Sequence, residues 1–392
     1  MVYTFETIVW ASTAADVAAA LVLLGWASRW KRQQAALGST ILGRLTRAGV
    51  ITVVALVVFV AKLATLGRTG VNFFGLIHLI YLDIVVVIPL LGLALLGAGR
   101  VRRGAAALPE VAGRARLLAV GMCLLALVGV YASWIEPFRL QLETATVPLA
   151  PERLGSAALR VGVLADIQTT RVTEYERDAL DRLMALSPDL ILLPGDLFQG
   201  EPGQFERELP ALRDLVARLS APAGVYFVLG DTDQQERVAR ILAGTEVRLL
   251  VNEVVRTTAR DRQITIGGIE LNVESPAAQA TIRQLETAAG TDDLRVLLTH
   301  RPDAALTMPP ATRIDLVVAG HTHGGQVQLP IVGPLLTLSN VPRRVAAGGL
   351  HDLGDGRRVY VSRGVGVERG QAPRLRFLCP PEITLLQLGR AP

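Results

Sequence analysis

The stretch IDLVVAGHTHGGQVQLP at residues 314–330 decides the fold. Its first half is a continuous apolar run, which is typical of a strand buried on both faces of a sheet. The run ends at Gly320 and leads directly into two histidines, His321 and His323. The adjoining glycines allow the backbone to approach whatever these histidines bind. The pattern therefore predicts a buried strand with a pair of imidazoles at its carboxyl end.

Four other apolar runs end in the same way, in an acidic residue or a histidine. They are LRVGVLA before Asp166, DLILLPG before Asp196, GVYFVLG before Asp231, and LRVLLT before His300. One such aspartate is often only the cap of a following helix, but ligands of an α/β sheet gather beyond the carboxyl ends of its strands. Helical stretches at 175–186 and 205–219 lie between the strands, so we expect an α/β sandwich over residues 159–392.

Three aspartates and three histidines at strand ends make a donor set for divalent cations. Carboxylates and imidazoles suit Mn, Fe and Zn, and six ligands are more than one tetrahedral zinc needs. The set suits two metal ions about 3.5–4 Å apart, which clamp a phosphoryl group and activate a bound water as hydroxide. We therefore expect two divalent metal ions (Mn, Zn, Fe or Mg) in a hydrolytic site.

Residues 1–136 predict a transmembrane domain. Long apolar runs cover residues 8–27, 50–66, 76–96 and 117–135, and each approaches the ~20 residues with which a helix crosses a bilayer. Four such runs leave no polar face for water, so we expect an N-terminal four-helix transmembrane bundle. Residues 137–158 lack helical periodicity and predict a linker, with an edge strand over 138–147.

The composition agrees with a membrane protein and not with a nucleic-acid-binding one. Of the 392 residues, 51% are hydrophobic and 19% are charged, which excludes a disordered chain. Residues 1–140 hold 13 basic and 5 acidic side chains, and residues 141–392 hold 27 and 30. Because the basic excess belongs to the apolar part, we expect a lipid bilayer and no nucleic acid as partner.

The segments between the apolar runs predict the orientation. Residues 28–48 and 100–116 each hold five arginines or lysines, whereas residues 1–7 hold none and residues 67–75 hold one. The positive-inside rule places the two basic segments in the cytoplasm. We therefore expect a multi-pass protein of the cytoplasmic (inner) membrane, with the C-terminal domain on the extracytoplasmic side.

Four ionisable residues interrupt the apolar runs, namely Asp16, Lys62, His78 and Asp83. Lys62 lies near the end of its run, where its amine can reach the interface. The others either pair inside the bundle and fix the helix packing, or form a polar notch that receives a lipid headgroup. The sequence leaves both alternatives open.

Three motifs in the C-terminal part resemble the calcineurin-like metallophosphoesterases, specifically their membrane-associated bacterial group. They are GHTHGGQVQLP at 320–330, YVSRGVG at 360–366 and LRFLCPPEITLL at 375–386. The resemblance implies an α/β metallophosphoesterase sandwich whose two metals are held by motifs of the form Asp-x-His, Gly-Asp, Gly-Asn-His, His and Gly-His-x-His. It also implies that Asp196 bridges the metals, that Asp166 and His323 hold one, and that His300 and His321 hold the other.

Two motifs depart from the family pattern. Gln168 stands in place of a histidine ligand and offers only a neutral carbonyl oxygen. In the third motif Asp231 replaces an asparagine and can still bind metal. Thr232 replaces the histidine that, in the family, stabilises the transition state or protonates the leaving group, and a threonine hydroxyl does not do that work near pH 7.

The predicted site follows from these assignments. The predicted metal ligands are Asp166, Gln168, Asp196, Asp231, His300, His321 and His323. Asp196, Asp231 and His300 are also the predicted catalytic residues, and Thr232, Arg343 and Arg344 are candidate substrate contacts. The two arginines follow the histidine pair in the chain and are of the kind that binds phosphate.

Together these features favour a membrane-anchored phosphoesterase that hydrolyses a phosphate ester or pyrophosphate bond of a lipid or cell-envelope compound on the outer face. A nucleotide or phosphate leaving group would relieve the need for a histidine at Thr232. Two alternatives stay open. One is a catalytically impaired protein that binds an envelope ligand or serves as a scaffold, and the other is a transporter or assembly scaffold that the outer domain regulates. The oligomeric state does not follow from the sequence.

Overall fold

The computed structural model describes residues 4–33, 60, 69–101, 109–288 and 293–390. The chain divides into two compact units, Met1–Tyr131 with Gln371–Pro373, and Ala132–Gly370 with Arg374–Pro392. The apolar run predicted at 50–66 lies outside the described residues apart from Val60, and Lys62 lies outside them as well.

The described part of the first unit is helical. Its α-helices are α1 (Phe5–Gln33), α2 (Phe73–Leu82), α3 (Ile88–Val101) and α4 (Pro109–Val130). Three stretches are long and apolar enough to cross a membrane: Phe5–Val22, Phe73–Leu96 and Arg116–Phe138. Three of the four predicted runs are therefore confirmed as apolar helices, and the four-helix bundle stays a prediction.

A π-helical turn, Asp83–Val87, joins α2 to α3. Such turns occur often at functional sites, and the apolar pattern did not predict this one. Asp83 is the first residue of the turn, and His78, one turn earlier, places its Nδ1 3.2 Å from the carbonyl of Gln371 in the same unit. Asp16 lies within α1. These positions leave both explanations of the polar residues open.

The second unit contains two six-stranded sheets. The first has the order β1-β14-β2-β3-β4-β5. Its strands are β1 (Gln141–Pro148), β2 (Leu159–Val163), β3 (Leu190–Leu193), β4 (Val225–Phe227), β5 (Val247–Leu249) and β14 (Glu382–Gly389). Strands β2 to β5 run parallel. The predicted edge strand is β1, which pairs in parallel with β14.

The second sheet has the order β12-β13-β9-β8-β7-β6. Its strands are β6 (Glu253–Ala259), β7 (Arg262–Gly268), β8 (Leu294–Leu298), β9 (Leu316–Ala319), β12 (Gly349–Asp352) and β13 (Arg358–Val361). Strands β7, β8, β9 and β13 run parallel. A separate two-stranded hairpin joins β10 (Gln328–Leu329) to β11 (Gly333–Pro334).

Helices cover the outer faces of both sheets. They are α5 (Glu174–Ala185), α6 (Pro202–Val216), α7 (Gln235–Leu242), α8 (Pro276–Glu286), α9 (Ala304–Thr307) and α10 (Arg343–Ala346). Alternate residues of each strand face opposite sides, so Leu190 and Leu192 pack between the sheets whereas Ile191 and Leu193 pack against helices. The result is a four-layer α/β/β/α sandwich, and it confirms the predicted strands and both predicted helices.

The segment at 376–379, just before β14, is hydrogen-bonded to the first residue of the second unit. Arg376 is fully buried, and its guanidinium donates to the carbonyls of Arg363, Gly366 and Cys379. Its backbone N–H donates to the carbonyl of Ala132 at 2.8 Å. These bonds satisfy backbone carbonyls and fix the loops on that side of the sandwich.

Candidate metal centre

The predicted ligands converge at the carboxyl ends of parallel strands from both sheets. Asp166, Asp196 and Asp231 follow β2, β3 and β4, while His300 and His321 follow β8 and β9. Asp166, Asp196, His321 and His323 all have positive φ angles, between 48° and 72°. Such angles are costly for residues other than glycine, at about 1–2 kcal/mol each. The loops therefore hold the ligands in backbone conformations that the rest of the domain stabilises.

Asp166 is fully buried, and the backbone N–H of His321 binds it. That N–H donates to both carboxylate oxygens, at 3.0 and 3.2 Å. The neighbouring Gly320 has to be a glycine, since a Cβ there would stand 2.5 Å from Asp166 Oδ2. Burial, reinforced by the charge of Asp196, raises the pKa of Asp166 to about 7 despite the opposing field of His300. The carboxyl group is thus poised to exchange a proton for a cation.

His300 occupies the middle of the cluster. Its Nδ1 donates to the carbonyl of Pro194 at 2.6 Å, so its Nε2 points at carboxylate oxygens, 3.3 Å from Asp231 Oδ2 and 3.6 Å from Asp196 Oδ2. Burial disfavours the imidazolium, but the carboxylates of Asp196 and Asp231 outweigh it and raise the pKa of His300 to about 10. Nε2 is buried and has no hydrogen-bond partner in the described part of the chain.

Asp231 and His321 form the open side of the cluster. His321 Nε2 donates to the carbonyl of Leu338 at 3.1 Å, which leaves the lone pair of Nδ1 directed at Asp231 Oδ2, 2.7 Å away. Two acceptor atoms this close need a shared proton or cation between them. Asp231 also pairs with the guanidinium of Arg301. Burial opposes its ionisation, but the close approach of His300, His321 and Arg301 holds the pKa of Asp231 far below the usual range.

Asp196 is oriented by Thr232. One carboxylate oxygen, Oδ1, accepts from the Thr232 backbone N–H at 2.8 Å and from its hydroxyl at 3.0 Å. The other oxygen, Oδ2, faces His300. Thr232 is therefore in the cluster, but as a group that holds the carboxylate, and its hydroxyl proton is already engaged. This contact explains how a threonine is accommodated where the family has a histidine.

Gln168 and His323 lie on the buried side. Gln168 donates from Nε2 to Glu368 Oε2 at 3.3 Å, while its carbonyl Oε1 has no partner among the described residues. His323 Nε2 lies 3.9 Å from Asp166 Oδ1, and its Nδ1 also lacks a partner in the described chain. Burial, with help from the charge of Arg376, holds the pKa of His323 well below its ordinary value, so the ring is neutral.

The sequence did not point to three residues that shape the cluster. Asp233 accepts the backbone N–H groups of Asp196, Gly230 and Leu197 at 2.8, 2.9 and 3.0 Å. Glu368 accepts a hydrogen bond from the amide of Gln168 and another, at 3.2 Å, from the amide of Gln199. Burial raises the pKa of Glu368. Arg301 pairs with Asp231. Only Asp233 carried a sequence signal, as the second acid of the motif Gly230-Asp231-Thr232-Asp233.

The remaining candidates are Arg343 and Arg344. Both belong to the short helix α10 and are exposed. Within the described residues, no hydrogen bond or ion pair joins either of them to the cluster. Their assignment as substrate contacts stays a prediction.

The donor set fits a pair of divalent cations. Two overlapping groups bring their ligand atoms within 4.8 Å of one another: Asp231, His300 and His321 form one, and Asp166, Asp196 and His300 form the other. Buried imidazole and amide acceptors without partners are costly in a protein interior unless something binds them. Carboxylates and imidazoles are the ligands that Mn, Fe and Zn prefer.

The comparison with protein families agrees with this chemistry. Residues 159–325 match the family model described as calcineurin-like phosphoesterase. This part of the chain is therefore a calcineurin-like phosphoesterase domain, and calcineurin-like phosphoesterases are dimetal enzymes that act on phosphate esters.

Individual relatives extend the comparison. The chain is 27% identical to an uncharacterized metallophosphoesterase of Campylobacter jejuni, over 59% of this chain and 59% of the relative. It is 29% identical to the phosphodiesterase YaeI of Escherichia coli, over 59% of this chain and 83% of the relative. A bovine transmembrane protein with a metallophosphoesterase domain is 27% identical over 60% of this chain and 54% of its own length.

Proposed function

We propose that this protein is a membrane-associated dimetal phosphoesterase that hydrolyses a phosphate ester or pyrophosphate bond of a lipid or cell-envelope compound. The single observation that carries the proposal is the convergence of Asp166, Asp196, Asp231, His300 and His321, whose ligand atoms form two overlapping groups with all atoms of a group within 4.8 Å of one another. The apolar helices and the bovine transmembrane relative support the membrane part.

The cluster assigns ligands to two cation positions. Asp231, His300 and His321 would hold one ion, and Asp166, Asp196 and His323 would hold the other, with the carbonyl of Gln168 as a neutral donor. Ions bound there would supply a hydroxide nucleophile and would stabilise the developing negative charge on the phosphoryl oxygens.

The protein's own groups orient these ligands. Pro194 fixes the tautomer of His300 through its carbonyl, and Leu338 does the same for His321. Thr232 leaves one oxygen of Asp196 free toward His300. Arg301, on the open side, places a fixed positive charge beside the position where a phosphate would enter.

The leaving group narrows the substrate class. Thr232 already donates its hydroxyl to Asp196, so it has no proton to give to a departing alkoxide. Substrates whose leaving group is itself stable as an anion, such as a nucleotide or a phosphate, need no such proton. We therefore favour a pyrophosphate or nucleotide-linked compound, and we place the phosphoesterase domain on the extracytoplasmic side of the cytoplasmic membrane.

Metal analysis and turnover of the purified full chain in detergent test the chemistry. We expect about two Mn, Fe or Zn ions per chain and hydrolysis of bis(p-nitrophenyl) phosphate that the variant Asp196→Asn lacks. Metal without turnover above that variant would contradict the proposal. The orientation of the domain relative to the membrane is tested by fusing alkaline phosphatase after Pro392, because this reporter is active only outside the cytoplasm. We expect the fusion to be active.

A further inference from the structure

The hairpin after the histidine pair ends in an exposed apolar tip. Its five residues are Ile331, Val332, Leu335, Leu336 and Leu338, and Ile331 is fully exposed, at 108% of its reference area. Val332, Leu335 and Leu338 are each slightly more than half exposed. Residues 324–342 contain no Asp, Glu, Lys or Arg. A contiguous apolar surface without charges is unusual on a domain that faces only water.

The hairpin is held in this exposed position. β10 pairs with β11, and the Leu335 N–H donates to the carbonyl of Val327. At the tip, Val332 N–H donates to the carbonyl of Pro330 at 2.8 Å, which forces Ile331 to a φ of 71°. A β-branched residue at positive φ is a genuine outlier. The fold therefore accepts both strain and exposure at Ile331.

The base of the hairpin is connected to the end of a candidate membrane span. Val327 pairs with Phe377, and the next two N–H groups, of Leu378 and Cys379, donate to the carboxylate of Glu136 at 2.8 and 2.7 Å. Glu136 belongs to the span Arg116–Phe138. All these contacts lie within the second unit, so they hold whatever the arrangement of the helices in the first.

Aromatic residues flank Glu136 in the chain, and basic residues follow the tip. Trp134 and Phe138, at the end of the span, are 76% and 63% exposed, and such residues concentrate at the membrane–water boundary. On the other flank of the tip, Arg343 and Arg344 are exposed and complement anionic headgroups. An apolar tip with exposed aromatics beside the residue that contacts its base, and with arginines directly after it in the chain, has the composition of an interfacial membrane contact.

We propose that the apolar tip inserts into the lipid–water interface and docks the phosphoesterase domain on the bilayer surface. The tip reaches the candidate metal centre directly, because the carbonyl of Leu338 accepts from His321 Nε2. A phosphate at the bilayer surface is thereby brought beside the open side of the cluster. This inference rests on the membrane association in the proposed function and is independent of the hydrolytic chemistry.

The test measures lipid contact of the tip in the full chain. The protein carries Cys123→Ala, retains the buried Cys379, and is placed in nanodiscs of phosphatidylethanolamine and phosphatidylglycerol. A polarity-sensitive fluorophore is attached through Ile331→Cys. Matched samples carry it through Leu124→Cys, within a candidate span, or through Glu246→Cys, on an exposed loop away from the tip. Lipids with a nitroxide near the headgroup or deep in the acyl chain serve as quenchers.

We expect the fluorophore at position 331 to be blue-shifted, shielded from iodide, and quenched about two-fold by the shallow nitroxide. Position 124 responds to the deep nitroxide and position 246 only to iodide. If the fluorophore at position 331 responds like that at position 246, while the one at position 124 is quenched, this inference is wrong and the membrane association still holds. Shielding from iodide without lipid quenching also overturns it, because a second copy or another protein then covers the tip. If 124 is not quenched either, the membrane part of the proposed function fails.

Discussion

The two sides of the candidate metal centre are built on opposite electrostatic principles. The buried side, with Asp166, Gln168 and His323, favours neutral forms, because burial raises the pKa of Asp166 and lowers that of His323. The open side holds Asp231 as an anion between His321 and Arg301. On the buried side a cation must therefore displace the proton of a neutral carboxyl group, whereas on the open side it meets a carboxylate that is already ionised and is shared with an arginine.

The largest effect should come from breaking the residue that joins the two sides. His300 faces Asp166, Asp196 and Asp231, so replacing it by alanine removes a ligand position from both groups. We expect His300→Ala to lower turnover of bis(p-nitrophenyl) phosphate by about a thousand-fold. His351→Ala, in β12 and outside the cluster, is the matched control. A loss below ten-fold would mean that the two sides act independently.

Restoring a proton donor on the open side should raise activity. Thr232→His gives up one hydrogen bond to Asp196 Oδ1 but supplies an acid for the leaving group. Turnover of a phosphodiester with an alkyl leaving group should rise about ten-fold, while that of the p-nitrophenyl ester should not. The isosteric Thr232→Val, whose side chain has no hydrogen-bond donor, should show no selective gain in turnover of the alkyl ester. An equal change with both substrates would argue against a leaving-group effect.

The buried side can be strengthened without touching the open side. A histidine at position 168 offers an imidazole where the present amide offers a neutral oxygen, and Glu368 is in place to accept its second N–H. We expect Gln168→His to tighten binding of one Mn²⁺ by about ten-fold in calorimetry. Gln199→His, which also meets Glu368 but not the cluster, should leave the affinity unchanged.

A smaller effect concerns stability and pH in the metal-free protein. Folding raises the pKa of Asp166 from 3.8 to about 7 and that of His300 from 6.5 to about 10, so the folded state binds more protons than the unfolded chain. Stability therefore falls as pH rises through both intervals. In a chelator, Tm should drop by about 2–4 °C between pH 6 and pH 9, and Mn²⁺ should abolish the drop. Asp166→Asn should reduce the part of the Tm drop that occurs below pH 7. A Tm that rises with pH would contradict the raised pKa values of Asp166 and His300.

Much of the fold and of the cluster was predictable because apolar runs ended in Asp or His. Continuous β-branched sequence specifies buried strands, and parallel strands place their carboxyl ends at one edge. Glu368 escaped prediction because it meets Gln168 across a separation of 200 residues, through loop geometry alone. Arg301 escaped because its pairing with Asp231 depends on how the two sheets face each other. The exposed tip at Ile331 was hidden in an apolar run that resembles a core strand.

The position of β14 has a consequence for biosynthesis. This strand, formed by Glu382–Gly389, lies between β1 and β2 and pairs with both. The first sheet is therefore split in two until this last strand of the domain is available to join β1 to β2. We expect the domain to stay incompletely folded until Glu382–Gly389 has joined the sheet, and chains truncated before residue 382 to be degraded.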